Sequence, residues 1–181
     1  MKSKIIGKRV VLRPLRQSDL PLMVKWMDEP KLARLMEIDI SLNENYQNKW
    51  FSAYKKDPSK QIYAITIRRS GRHVGNIAVS DLEVKPRHAH LTIFIGSPKD
   101  RGKGYAREAM LLFLNHCFND IGLNRVFLTV RTDNYGAIQL YEYCGFSREG
   151  LLRKKKETGK GYSEKYIMAV TKTEFEELKN L

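Results

Sequence analysis

The run Arg101-Gly102-Lys103-Gly104-Tyr105-Ala106 is the strongest chemical signal in this sequence. It lies between a β-rich stretch and an apolar helical one. A helix N-terminus leaves backbone N–H groups unpaired and gathers partial positive charge. Glycines let such a backbone approach a pyrophosphate closely, and Arg101 and Lys103 add charge. The loop is therefore either a phosphate cradle or a plain turn and cap. A Walker A loop would need G-x-x-x-x-G-K-[ST], which is absent, and Arg107 stands where a dinucleotide fingerprint needs its third glycine. His73, His88, His90 and His116 lack metal-ligand spacing with Cys or carboxylates, so no metal is expected. The two cysteines, Cys117 and Cys144, make no disulfide framework and point to a reduced, cytoplasmic protein. Cys144 reads as a packed core thiol rather than a nucleophile.

The chain has 181 residues, enough for one domain spanning 1–181, and is 42% hydrophobic, enough to bury a core. No apolar run approaches the ~18 residues of a membrane span, and residues 1–16 hold no signal-peptide core. The formal net charge is +13. Residues 1–16 hold six basic side chains and no acids, and residues 148–165 hold seven basics against three acids. Such charge fits anionic partners, whether nucleic acid, a ribosome or a phosphorylated ligand, or simply a solvated surface. Neither segment overlaps the glycine loop in sequence.

The loop needs elements to hold it. Residues 9–14 read as a strand stopped by Pro14. Ser18 or Asp19 caps a helix carrying Leu20, Met23, Val24 and Met27 at helical spacing, ended by Pro30. A second helix runs over about 42–56. Residues 61–68 and 73–81 are strands of a hairpin turning at 69–72. A strand at 89–96 leads into the loop, and a helix over about 105–119 leads out. A strand at 125–131 and a short helix at 135–144 follow, the helix stopped by Gly145. Residues 146–155 and 162–172 form a closing hairpin, and Thr173 caps a final helix. The architecture is α+β, a sheet flanked by helices.

At this level of detail the sequence resembles the GNAT superfamily of N-acetyltransferases, in its ribosomal-protein and spermidine-type branch. The resemblance is carried by Arg101, Gly104 and Ala106. It continues through Gly122-Leu123-Asn124-Arg125, residues 134–142, Gly145-Phe146 and Glu149-Gly150. It implies a mixed, mostly antiparallel twisted sheet in which two strands splay to hold acetyl-CoA. It places the pyrophosphate on Arg101, Gly102, Lys103, Gly104, Tyr105 and Ala106, and the pantetheine arm on the backbone near Phe94 and Ile95. Asn134 matches a position that helps hold the cofactor near its thioester, and Ala137 joins the cofactor-binding set. Tyr141 matches a tyrosine that protonates the departing thiolate. Related sequences often carry Glu where this one has His90, a departure that leaves an imidazole with a suitable pKa for a general base.

Acetyl transfer needs a neutral amine, a polarised thioester carbonyl, close placement and a proton for the thiolate. The acceptor candidates are a protein N-terminal amine of ribosomal type, ranked first, and a small amine such as a polyamine or amino sugar. A basic protein suits a free polycation only if its cleft is locally acidic, and Glu37, Asp39 and Glu44 could make such a patch. The alternative is a non-catalytic module binding RNA or a ribosome through its basic surface. A homodimer fits the superfamily, and no membrane association is expected.

Overall fold

The computed structural model describes residues 3–37, 44–83, 85–158 and 161–180, with only the backbone described at 44, 45, 155–158 and 161. Eight strands form one sheet in the order β1-β2-β3-β4-β5-β6-β8-β7. They are β1 (Ile5–Ile6), β2 (Val10–Pro14), β3 (Gln61–Ile67), β4 (His73–Glu83), β5 (His88–Ile95), β6 (Arg125–Arg131), β7 (Ser147–Thr158) and β8 (Gly161–Thr171). The helices are α1 (Leu20–Met27), α2 (Pro30–Met36), α3 (Glu44–Lys56), α4 (Tyr105–Asn115), α5 (Tyr135–Tyr143) and α6 (Lys172–Lys179). Every strand pair is antiparallel except β5 with β6. That parallel pair is joined through α4, as a crossover connection requires. This is the mixed, mostly antiparallel sheet flanked by helices that the resemblance implied.

Alternation along β5 decides what each face can do. Ala89, Leu91, Ile93 and Ile95 point into the main core, which they share with Phe113 of α4 and with Ile138 and Tyr141 of α5. His90, Thr92 and Phe94 point to the opposite face, where the Trp26 ring of α1 packs edge-on against Phe94, centroids 6.0 Å apart. Trp26 presses so closely on the end of β5 that a Cβ at Gly96 would lie 2.0 Å from its ring. Trp50, Phe51 and Tyr54 belong to a second, smaller core with Leu15, Leu20 and Ile62.

Four elements differ from the sequence expectation. Pro30 does not end a helix but opens α2, because a proline at the first helical position gives up an N–H that has no intrahelical partner. The Glu29 side chain caps that helix, accepting from Lys31 N and Leu32 N. β1 is a two-residue edge strand too short to show a period. α4 stops at Asn115 and gives way to one π-helical turn, His116–Asp120. The last helix is capped at Thr171 rather than Thr173, since Thr171 and Glu174 close a reciprocal capping box.

Candidate active site

β5 and β6 pair only as far as His90 with Phe127. Beyond that point β5 runs on to Ile95 and β6 to Arg131 without pairing. The strands therefore part, and residues 91–95 face a gap on the β6 side where their peptide groups have no strand partner. A cleft of about 720 Å³ occupies this gap. Of the residues expected to bind or react, His90, Phe94, Ile95, Arg101, Gly102, Ala106, Asn134, Ala137 and Tyr141 all line it.

Lys103, Gly104 and Tyr105 do not. Gly104 is the N-cap of α4 with φ 78°, a left-handed conformation that a side chain would strain. Its outer side borders a second cavity with Ile5 and Leu112. Tyr105 lies beneath the Arg9 guanidinium, 5.1 Å from the ring centroid. Lys103 Nζ is 3.9 Å from Asp100.

The glycine loop is braced from distant parts of the chain. Arg101 turns its side chain inward. Its Nε donates to the Ile95 carbonyl at 3.1 Å, and its Nη2 donates to the Gly96 carbonyl and to Glu29 Oε2, each at 2.7 Å. The guanidinium thus ties the loop to β5 and to the head of α2. Arg72 clamps the buried Asp100 in a two-point pair at 2.6 and 2.7 Å. Arg9 donates to the Lys103 carbonyl at 2.8 Å, while Glu108 accepts from Arg9 N and Val10 N. So the basic segment 1–16, distant in sequence, does reach the loop. Part of its charge is structural, since Arg13 also forms a two-point pair with the buried Asp19.

Asn134 caps α5, its Oδ1 accepting from Ala137 N at 3.4 Å. Tyr141 is 7% exposed, and burial pushes its phenol well above its usual pKa. It stays a protonated donor across the neutral range. On the other face, burial depresses His90 below its usual value, against an upward pull from Asp81 and with a further downward push from Lys165. A neutral imidazole with a free lone pair results at neutral pH. Cys144 is fully buried with its thiol pushed up to about 12, as a core thiol should be. Among the described residues no cluster of His, Cys, Asp or Glu could hold a metal, and no helix is long and apolar enough to cross a membrane.

Sequence reading missed several lining residues. Lys31 of α2, Thr129 and Arg131 of β6, Asp133 just beyond that strand, and Lys165 of β8 all border the cleft. Glu37, at the end of α2, does not form the acidic patch expected from sequence. Instead its carboxylate lies 2.6 Å from Lys165 Nζ and 3.8 Å from Arg131, and it accepts from Ser163 Oγ at 3.1 Å. Asp39 lies outside the described residues, as does the Glu44 side chain. The Glu29-Pro30 pair, an acid before a proline, was the available signal for α2.

Residues 9–147 match the family model of the acetyltransferase (GNAT) domain. The chain belongs to the GNAT acetyltransferase family and is an N-acetyltransferase. It is 27% identical to an SPbeta prophage-derived uncharacterized N-acetyltransferase of Bacillus subtilis, over 94% of each chain. It is 29% identical to the spermidine N(1)-acetyltransferase of Escherichia coli K12, over 79% of this chain and 75% of that one. A solved spermidine N-acetyltransferase of Vibrio cholerae, in complex with CoA and spermine, superposes with TM-score 0.87 at 21% identity, covering 93% and 99% of the two chains. That likeness establishes a shared fold.

Proposed function

We propose that the chain transfers an acetyl group from acetyl-CoA to a primary amine by direct attack in a ternary complex. The observation that carries this reading is the parting of β5 and β6 after His90, with His90 on one face of the opening and Tyr141 on the other. The amides of Gly102 and of the first turn of α4 take the pyrophosphate. Unpaired peptide groups of residues 91–95 take the pantetheine arm and polarise the thioester carbonyl.

The chemistry divides between the two faces. A neutral amine attacks the thioester carbon, the C–S bond breaks, and the products are an amide and a free thiol. The proton that nitrogen must lose goes to His90, directly or through a water. The thiolate takes its proton from Tyr141, which then recovers one from solvent. Burial raises the pKa of a thiol as it raises that of a phenol, so the two remain matched inside the cleft. The acceptor enters from the α1–α2 side, the face that carries His90 and Phe94.

Two measurements test this. Calorimetry should detect acetyl-CoA binding to the purified chain, and a thiol-release assay over peptides, amino sugars and polyamines should detect turnover. No binding together with no release from any amine overturns the reading.

A further inference from the structure

Among the described residues, the acceptor side of the cleft is cationic. Lys31 and Arg34 of α2, Arg131 of β6 and Lys165 of β8 gather there, against the carboxylates of Glu37 and Asp133. Both carboxylates are already engaged. Glu37 accepts from Ser163 and pairs with Lys165 and Arg131, while Asp133 takes Arg131 at 3.0 Å and Arg34 at 2.7 Å. The pair of arginines holds the Asp133 carboxyl down to about 2, so it stays anionic and stays engaged. Lys31 lines the cleft and has no carboxylate within ion-pair distance among the described residues. A polyamine needs carboxylates that are not already neutralised, and like-charge contact costs it affinity.

We infer that the acceptor is an amine with an anionic group, a carboxylate or a phosphate, close to its nitrogen, and that Lys165 excludes polyamines by neutralising Glu37. This deepens the acetyltransferase reading and rests on it. The positive end of the cleft attracts the anionic group and orients the amine toward His90. Lys165 is a specificity residue here, because its side chain is only 17% exposed and is aimed at the Glu37 carboxylate, which could otherwise anchor an ammonium. A shielded charge of this kind acts more strongly than one in open solvent.

The test compares kcat/KM across matched acceptors: glucosamine 6-phosphate with glucosamine, a C-terminally amidated Ala-Asp peptide with its amidated Ala-Ala counterpart, and spermidine. Each anionic amine should exceed its neutral match, and spermidine, by about tenfold. The phosphate and carboxylate arms separate the two sources of the anion. Lys165→Glu should abolish that preference and raise spermidine turnover about tenfold. Lys31→Glu, an exposed change that leaves folding alone, should reduce the preference by about threefold. Spermidine equal to or better than the anionic amines overturns the inference, as does failure of every anionic amine to react. An unchanged ratio in both variants overturns it as well. Calorimetry with acetyl-CoA on the same samples separates the causes. Binding without anionic-amine turnover defeats this inference alone, and absent binding defeats the acetyltransferase mechanism beneath it.

Discussion

The two ends of the cleft are built from different materials. The glycine-loop end is backbone: two glycines at positive φ, the first turn of α4, and a strand whose partner has turned away. The acceptor end is side-chain charge, contributed by α2 and the Glu37 that caps it, by β6 and β8, and by Asp133 two residues past β6. Backbone amides recognise a phosphate whatever side chains surround them, so that end suits a co-substrate shared across a family. Side-chain ion pairs change with single substitutions, so the other end suits an acceptor particular to this chain.

If that contrast is sound, changes at the reacting centre should hurt most. Tyr141→Phe removes the proton donor and should lower kcat about 100-fold with little change in acetyl-CoA binding. Steady-state kinetics with calorimetry would show it. Gly104→Val forces a β-branched residue to φ 78° and should raise KM for acetyl-CoA about tenfold, leaving acceptor preference untouched.

A smaller effect should follow from loosening the loop's support. Asp100→Asn breaks the clamp with Arg72 and should cost about 1–2 kcal/mol in urea unfolding, less than a fully buried pair because Arg72 is half exposed. Arg72 holds the Asp100 carboxyl below its usual 3.8 despite burial. A depressed carboxyl stabilises above its unfolded pKa and loses that contribution as pH falls through the folded one. The difference between wild type and Asp100→Asn should therefore be full at neutral pH, begin to shrink as pH falls past about 3.8, and vanish only below the lower pKa of the folded state. The subtlest change is in pH dependence. A base must be deprotonated, so activity should rise with pH through an inflection below 6.5, and His90→Gln should remove that limb from the pH–rate profile.

The same contrast explains what the sequence made legible. The strands, α4 and the glycine loop are written locally, in alternation, helical spacing and glycine placement. Tyr141 lies within the motif that carries the family resemblance, whereas His90 departs from it. The ion pairs of the acceptor end join residues as far apart as Glu37 and Lys165, and no local pattern announces a contact across that separation. The inward turn of Arg101 was equally hidden, since an arginine beside two glycines looks like a phosphate ligand until Glu29 is seen beside it. Pro30 misled because proline breaks a helix in its interior yet suits its first turn. The basic N-terminal segment looked like a clue to partners, but Arg9 and Arg13 serve the fold.

Initial rates of thiol release, with acetyl-CoA and one reactive amine varied together, test the central claim most directly. Direct attack across the parted strands predicts double-reciprocal lines that intersect. Parallel lines, the signature of an acetylated enzyme formed before the amine arrives, would contradict it.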